Sequence, residues 1–346
     1  MTAPPGLGLA TVRAVEWAAL GEPLRLVDVP RPEVEQPGDL VLDVHAAHFG
    51  AALRRAVTVG HPRIAPPRVL GSLVAGVVTA AGDDAPARPG DRVVVDPHPP
   101  CGTCDACRRG VPAVCAHTAA PRPGGLAQTV LVRTSRCAVA VVPDTLTFAE
   151  AVHAELLACV LEAADRGGVA GGSDVVVLGS GPLALLAVQV SRRRGARVTC
   201  VARRPARAAA ARRHGAQAVL DDALAALDDD EVPQADVVLE MSGDPAALAT
   251  AFRLAAPGAR VVVFSGYPPG TTVPVPVNRL HYDGLHVVGS YHYRPGLFGR
   301  ALDLLAAGDV SLEGILTHRL GLADAVRAPD VSGDPDCVSL VVEPHA

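Results

Sequence analysis

The chain has 346 residues, of which 49% are hydrophobic and 19% charged, and its formal net charge is −5. This length exceeds what one hydrophobic core usually serves, so it favours two domains. No window approaches the roughly 18 uninterrupted apolar residues of a membrane span, and acidic and basic residues are interleaved without a basic stripe. The composition therefore argues against a membrane protein and against a nucleic-acid partner.

The cysteines are unevenly spread, because four of the eight fall between Cys101 and Cys115. Residues 1–11 are rich in Pro and Gly and lack the basic start and apolar core of a secretory signal. In a chain without such a signal, clustered cysteines favour a metal site over disulfides. We therefore expect a reducing compartment, the cytoplasm.

Short alternations of apolar and polar residues, interrupted by Gly and Pro, run from Arg13 to about Val142. They predict a compact β-rich domain with strands at 40–44, 74–79, 92–95 and 129–132. After Pro143, a helical stretch at 148–166 leads into apolar strands that alternate with Ala-rich helices, which predicts a doubly wound parallel α/β sheet. The predicted strands there are 174–178, 197–201, 218–220, 236–240, 260–265 and 286–290, and the helices are 182–194, 205–214 and 245–255. A helix at 297–307 and segments at 315–320 and 338–343 follow, and the last strand is expected to return to the first domain.

Cys101, Cys104, Cys107 and Cys115 form a C-x2-C-x2-C-x7-C array flanked by Pro and Gly. Four thiolates at this spacing can converge on one tetrahedral ion, which predicts a closed, structural zinc site. The main alternative is an iron–sulfur cluster, whose bacterial run places its fourth Cys three residues on and is accompanied by a second set. The sequence has neither feature. Four unrelated thiols in a loop are the remaining alternative.

A glycine turn follows the strand at 174–178 and opens a helix, reading Gly179-Ser-Gly181-Pro182-Leu183-Ala184. This GxGxxA pattern predicts a dinucleotide site, since Gly179 permits the turn, Gly181 admits a pyrophosphate and Ala184 allows close packing. The helix N-terminus at Pro182 and Leu183 offers its dipole to the phosphates. A plain strand-to-helix turn is the alternative.

Arginines follow the next strand. An acidic residue usually ends that strand and holds the ribose 2′-hydroxyl of NAD, but Ala202 stands there, followed by Arg203, Arg204 and Arg207. Guanidinium groups suit a 2′-phosphate, so the sequence predicts NADP(H) as the cofactor. The alternative is a solvated basic helix start.

With these motifs, the chain from Arg13 to Pro344 resembles the zinc-containing medium-chain dehydrogenase/reductase family of alcohol, sorbitol and threonine dehydrogenases. The resemblance rests on the cysteine lobe, the glycine turn and Glu155-Leu-Leu-Ala-Cys159. It implies a homodimer or homotetramer. It also implies that the chain divides into three consecutive segments that build two domains. These are a GroES-like catalytic domain at 1–157 with its zinc lobe at 98–116, a Rossmann NADP-binding domain at 158–292, and a return to the catalytic domain at 293–346.

The resemblance also implies a second, catalytic zinc, but its ligand positions have changed. Gly50 stands where the family has a Cys and Ser72 where it has a His, while Ala52 replaces a hydroxyl that relays protons. Of the ligand set only Glu155 is left, and one carboxylate does not replace three ligands. We therefore expect hydride transfer without a catalytic zinc.

A proton donor must then replace the Lewis acidity of the metal. The candidate catalytic residues are Glu155, with a pKa raised in an apolar pocket, and His48, titrating near neutrality. Each has a structural alternative, Glu155 as a relic held by an Arg and His48 as a satisfied core or rim histidine. Further candidates are Tyr291, His292 and Tyr293, whereas less weight falls on His45, His61, His98, His153 and Cys159.

These features predict an NADP(H)-dependent oxidoreductase that moves a hydride to or from a small polar substrate. Carbonyl reduction and reduction of a conjugated double bond both fit a nicotinamide hydride combined with a protein proton donor. Two alternatives stay open, a noncatalytic NADPH-binding or sensing relative and a redox-neutral enzyme such as an epimerase with bound cofactor. The resemblance to polyol dehydrogenases favours a hydroxylated substrate.

Overall fold

The computed structural model describes residues 10–61, 63–117, 124–220, 224, 228 and 231–346. Contacts divide the chain into two compact units. The first unit is drawn from Met1–Arg109, Cys115–His153 and Leu316–Ala346, and the second from Gly110–Val114 and Ala154–Ile315. The chain therefore leaves the first unit after His153 and returns to it at Leu316, whereas the sequence placed these boundaries after 157 and after 292.

The elements are numbered in chain order. The strands are β1 (Thr11–Trp17), β2 (Arg25–Pro30), β3 (Asp39–His48), β4 (Arg68–Val69), β5 (Val74–Ala81), β6 (Arg92–Asp96), β7 (Thr129–Arg133), β8 (Ala138–Val141), β9 (Asp174–Leu178), β10 (Arg197–Ala202), β11 (Gln217–Leu220), β12 (Ala235–Glu240), β13 (Ala255–Val263), β14 (His286–Gly289), β15 (Leu316–Gly321) and β16 (Ser339–Glu343). The helices are α1 (Ala51–Val59), α2 (Asp105–Arg108), α3 (Phe148–Ala151), α4 (Ala154–Arg166), α5 (Pro182–Arg193), α6 (Pro205–Arg213), α7 (Pro245–Leu254), α8 (Val277–Tyr282), α9 (Leu297–Ala306) and α10 (Ala328–Val331).

The first unit is built around a sheet in the order β15-β16-β3-β5-β6-β8, with β7 also paired to β3. Strand β3 lies in the middle because eight of its ten residues are buried, six of them apolar. The core includes Trp17, Leu40 and Phe49. Strand β16 pairs antiparallel with β3 and sets Val341 opposite His48, so the C-terminal strand reaches the end of β3 that carries a candidate catalytic residue.

The second unit holds a six-stranded parallel sheet in the order β11-β10-β9-β12-β13-β14. The strand order reverses between β9 and β12, which makes the carboxyl ends of these two strands the switch point where ligands bind in such sheets. Val176, Val238 and Val261 lie on one face of the sheet and belong to its core. The alternate residues Val177 and Leu239, on the other face, are also buried. The predicted fold class, a β-rich unit with a doubly wound parallel α/β sheet, is confirmed.

Three of the differences between predicted and observed boundaries have a physical reason in the structure. The helical stretch at 148–166 is two helices, because α3 ends at Ala151 and α4 begins at Ala154. Strand β13 begins at Ala255 rather than at 260; its pairing with β12 is irregular between residues 255 and 260, so Pro257 costs no ladder hydrogen bond there. Helix α9 packs against α4, which is why residues 293–315 group with the second unit.

Candidate functional site

The four lobe cysteines converge in the first unit. The Sγ atom of Cys107 lies 4.0 Å from that of Cys101 and 3.5 Å from that of Cys104, and the Cys104 and Cys115 sulfurs are 3.9 Å apart. All four lie within 4.8 Å of one another. A tetrahedral zinc with bonds of about 2.3 Å needs sulfurs about 3.8 Å apart. The lobe therefore fits one zinc ion as its sequence predicts.

Backbone N–H groups donate hydrogen bonds to two of the lobe sulfurs, those of Cys101 and Cys115. The backbone N–H groups of Cys101 and His117 donate to the Cys115 sulfur at 3.3 and 3.4 Å, and those of Thr103 and Cys104 donate to the Cys101 sulfur at 3.4 and 3.3 Å. The side chain of His117, followed by Thr103, lowers the pKa of the Cys101 thiol to about 4. Metal binding needs the thiolate, so these donors prepare the lobe for an ion.

The glycine turn follows β9 directly. Gly179 has φ +117°, in the region that favours glycine, and a Cβ at this residue would lie 3.0 Å from the carbonyl oxygen of Met241. The turn therefore packs backbone against backbone at the switch point of the sheet. The Cys200 thiol on β10 donates a hydrogen bond of 3.3 Å to the Gly179 carbonyl oxygen.

The rest of the turn leaves room for a phosphate group. Gly181 is the N-cap of α5, and no atom of the described residues lies within 4 Å of where its Cβ would be. Pro182 and Leu183 form the first turn of α5 and are half-buried, whereas Ala184 is fully buried. A long helix that points its free N–H groups at open space suits an anion, so these residues fit the pyrophosphate of a dinucleotide.

The predicted arginines stand at the carboxyl end of β10. Arg203 and Arg204 are exposed and Arg207 is half-buried on α6. One Arg203 nitrogen lies 3.8 Å from an oxygen of Asp244, with 71% of the Arg203 side chain and 43% of the Asp244 side chain exposed. An exposed pair of this kind contributes about 0–1 kcal/mol, so Asp244 holds Arg203 only weakly.

A buried carboxylate that sequence analysis missed holds the turn after β12, at the carboxyl edge of the parallel sheet. Glu240, the last residue of β12, is fully buried. One of its oxygens accepts from the Ser242 N–H (2.7 Å), the Ser242 hydroxyl (2.6 Å) and the Gly243 N–H (3.0 Å), and the other accepts from the Tyr267 hydroxyl at 2.6 Å. Burial and the Glu240 carboxylate raise the pKa of Tyr267, which keeps that hydroxyl a donor. Glu240 thereby fixes the turn on which Gly179 packs. The sequence indicates such a residue by an acidic side chain at the end of a buried parallel strand.

Glu155 lies near the start of α4 and is buried. Its Oε1 lies 3.7 Å from the Cys159 sulfur and 4.0 Å from the Nδ1 atom of His292. His292 has φ +50°, a strained value for a residue with a side chain, and its ring centroid is 3.9 Å from that of Tyr291. The structure thus brings together Glu155 and His292, which were separate candidates in the sequence analysis, while Tyr293 is buried.

His48 belongs to a buried network in the first unit. Its Nε2 lies 3.1 Å from the Ser339 hydroxyl, which is 2.8 Å from the Nε2 of His153. Burial lowers the pKa of His48 to about 3 and that of His153 to about 4. The expectation that His48 titrates near neutrality is therefore not met, because complete burial penalises the imidazolium.

The positions that carry catalytic zinc ligands in the family are filled differently here. A Cβ at Gly50 would lie 2.5 Å from the Cε1 atom of His48, so the imidazole occupies the space of a side chain at residue 50. Ser72 is half-buried, and Ala52 is exposed in the first turn of α1. A glycine and a neutral serine hydroxyl do not hold zinc. The residues at these positions do not fit the family's catalytic ion.

Comparisons with known proteins support these assignments at the level of the fold and the family. A model of the alcohol dehydrogenase GroES-like domain matches residues 36–144, and a model of zinc-binding dehydrogenases matches residues 182–307. A crystal structure from Sinorhizobium meliloti 1021, described as a zinc-binding dehydrogenase bound to NADP, is 30% identical with a TM-score of 0.87. The match covers 97% of this chain and 100% of that one.

Curated relatives include sorbitol dehydrogenase from Bacillus subtilis, 26% identical over 340 residues, with 93% of this chain and 94% of that protein covered. D-xylulose reductase A from Aspergillus niger is 27% identical over 330 residues, with 88% and 89% covered. The fold and these relatives define an oxidoreductase. The chain belongs to the zinc-containing medium-chain dehydrogenase/reductase family. Among the described residues, no helix has the length and apolarity needed to cross a bilayer.

Proposed function

We propose that this protein transfers a hydride between NADP(H) and a small polar substrate without a zinc ion at residues 50 and 72. The substrate is an alcohol or carbonyl compound, or one with a conjugated double bond. The observation that carries the cofactor assignment is the exposed, weakly held guanidinium of Arg203 directly after Ala202. The NADP-bound relative supports the same choice.

The cofactor assignment rests on charge at the end of β10. Ala202 is buried and carries no acceptor for a ribose 2′-hydroxyl. Arg203 and Arg204 supply charged donors, which form strong, often bidentate hydrogen bonds to phosphate. Because Asp244 lies at 3.8 Å and is exposed, a 2′-phosphate dianion competes with it readily.

The chemistry divides between the cofactor and the protein. When bound, the nicotinamide supplies or accepts the hydride. The chain must then hold the substrate and move a proton. We assign proton donation to Glu155, which is buried beside His292. His48 is neutral, because its pKa is about 3, so it orients a substrate group and does not deliver a proton as an imidazolium.

The lobe of Cys101, Cys104, Cys107 and Cys115 is proposed to hold one structural zinc per chain. Its sulfur separations and N–H donors support this assignment. The same proposal sets the zinc content of the purified protein at one per chain. Two zinc ions per chain would contradict the proposal and would point to Glu155 and His292, 4.0 Å apart, as ligands of the second.

The experiment that tests the cofactor assignment compares NADPH and NADH affinities by fluorescence titration. Arg203→Ala is expected to weaken NADPH binding by about 10- to 100-fold, the value of one or two charged hydrogen bonds, and to leave NADH binding unchanged. Arg300→Ala is the matched control, because Arg300 is an exposed arginine on α9. Equal affinities of the unmodified protein for the two cofactors would refute the assignment.

The same titration separates the alternative functions. Carbonyl compounds or conjugated alkenes added to the NADPH complex should oxidise the cofactor, or alcohols added to the NADP+ complex should reduce it, with at least one substrate class. Bound NADPH that no substrate changes would favour a noncatalytic, sensing role. Conversion of a substrate without net change in NADPH would favour a redox-neutral enzyme such as an epimerase.

The oligomeric state stays a prediction. Apolar side chains are exposed on α8 and on the outer strand of the second unit, with Val277 at 69%, Tyr282 at 80% and Val287 at 44%. Strand β14 pairs only with β13 among the described residues, so its other edge is open. An open edge with apolar neighbours favours association, which agrees with the expected homodimer or homotetramer.

A further inference from the structure

The hydrogen bonds around Ser339 determine which nitrogen of His48 carries the proton. The Nδ1 atom of His153 lies 2.9 Å from the Ala149 carbonyl oxygen, which can only accept, so this nitrogen carries a hydrogen. In a neutral ring the other nitrogen of His153 is then an acceptor. It lies 2.8 Å from the Ser339 oxygen, so the Ser339 hydroxyl donates to His153.

The direction of the Ser339–His153 hydrogen bond determines the direction of the bond between His48 and Ser339. The single hydrogen of Ser339 is used on His153, so its oxygen accepts from the atom 3.1 Å away, the Nε2 of His48. His48 therefore carries its hydrogen on Nε2, and its Nδ1 holds a free lone pair. Within the described residues, no hydrogen bond reaches that Nδ1 atom.

Both rings are held in the neutral state from which this direction follows. His48, His153 and Ser339 are 5%, 0% and 3% exposed. The charges that face His153 oppose each other, because Glu150 favours its imidazolium and Arg319 disfavours it, and burial outweighs both. The rings themselves meet edge to face with centroids 5.3 Å apart, and a charge on either would repel a charge on the other.

We propose that Ser339 and His153 lock His48 as a hydrogen-bond acceptor, so that its Nδ1 selects ligands that carry a hydroxyl or another N–H or O–H donor. Ser339 and His153 act as positioning residues through His48. The selection of substrates by His48 rests on the proposed function, whereas the position of its proton does not. It narrows the substrate class to molecules with a donor group beside the reacting carbon, such as polyols, over alkyl alcohols and aldehydes.

Gly50 leaves the space that the His48 ring needs in this arrangement. The position of a Cβ on residue 50 is 3.1 Å from His48 Nδ1 and 2.5 Å from Cε1. Any side chain there would push the ring away from Ser339. Glycine therefore keeps the bond to Ser339 and places no side-chain atom against the lone pair.

The lock is tested in the unmodified protein by NMR of ¹⁵N-labelled histidines, whose ring correlations distinguish the two neutral tautomers and the imidazolium. His48→Gln assigns the His48 signals. We expect a neutral ring with its proton on Nε2 throughout pH 5.5 to 8. A proton on Nδ1, or an imidazolium at pH 7, would overturn the proposal whatever the activity of the protein.

Ser339→Ala should release the ring into a mixture of tautomers. The control is Ser191→Ala, since the Ser191 hydroxyl is also buried but has no hydrogen-bond partner among the described residues. This control should leave the His48 signals unchanged. A single Nε2–H tautomer that persists in folded Ser339→Ala would show that Ser339 does not set it.

The selection of ligands is measured by kcat/KM for sorbitol against 1-hexanol. His48→Leu should reduce the preference for the hydroxylated substrate about 10- to 100-fold, the value of a lost buried hydrogen bond. An unchanged preference would overturn the role in selection. Turnover of neither substrate class by any form, alongside the expected tautomer, would instead count against the proposed function and leave the lock intact.

Discussion

The cysteine lobe and the His48 network, both in the first unit, hold polar groups in opposite ways. The lobe gathers four sulfurs and supplies backbone N–H donors to those of Cys101 and Cys115. The pKa of the Cys101 thiol is lowered to about 4, whereas desolvation raises the pKa of the Cys107 thiol to about 12. The network gathers two imidazoles and a hydroxyl that stay neutral, with the pKa of His48 at about 3 and that of His153 at about 4. The cysteine lobe suits a bound cation, whereas the His48 network holds its groups in their neutral forms.

The difference concerns two positions at which members of this family hold metal ions. At the lobe, every ligand position carries a thiol. At the family's other site, Gly50 and Ser72 replace two ligands, and the His48 ring lies where the side chain of residue 50 would be. In this chain, a buried network of His48, Ser339 and His153 therefore lies beside residue 50.

Removing one ligand from the lobe is the most severe test of this contrast. Cys104→Ser should abolish zinc binding and lower thermal stability strongly, because the free energy of metal binding is coupled to folding of the lobe. Metal content by elemental analysis and the unfolding temperature are the readouts. Cys137→Ser, which changes a buried cysteine elsewhere in the first unit, should keep one zinc. An unchanged zinc content in Cys104→Ser would refute the assignment.

The second test concerns Glu155 as the proton donor. Glu155→Gln should reduce turnover by about 10² to 10⁴ fold, the range of general acid catalysis, while NADPH affinity stays nearly unchanged. Steady-state kinetics and fluorescence titration measure the two quantities. Glu33→Gln, at an exposed acid of the first unit, is the control. Full activity of Glu155→Gln would transfer the role to Tyr291, His292 or Tyr293.

The third test adds one methyl group to the neutral network. Gly50→Ala should destabilise the protein by about 1–3 kcal/mol, because the new Cβ overlaps the His48 ring and the ring must leave Ser339. Gly299→Ala has open space around its Cβ and should not destabilise. Urea unfolding of both variants gives the comparison, and equal stability of Gly50→Ala and the unmodified protein would show that residue 50 tolerates a side chain.

The smallest expected effect is on pH dependence. The folded pKa of His48 is depressed from 6.5 to about 3, so the unfolded chain binds more protons in between and stability falls as the pH drops below about 6.5. At pH 5.5 the loss from this one group is about 1.4 kcal/mol relative to pH 8. His48→Gln should lose less stability over the same interval. Parallel pH profiles for the two proteins would contradict the buried, neutral assignment.

The two regions also differ in how far they could be predicted. Cys101 to Cys115 lie close together in the sequence, so spacing alone indicated a metal lobe, and the structure brings the sulfurs to separations that suit zinc. The glycine turn is equally local, because strand, turn and helix are consecutive. For such sites, the geometry of a short chain segment does most of the positioning.

Sequence by itself determined the fold class, the order of the strands from β9 to β14 along the chain, and the residues of the lobe and the turn. Tertiary structure alone decided the chemistry of His48. Its partner Ser339 is 291 positions away, and Ser339 lies 186 positions from His153. No periodicity connects residues at such separations; strand β16 pairs with β3 because both bury apolar faces. Burial then shifted the pKa of His48, and burial depends on every element that surrounds a residue.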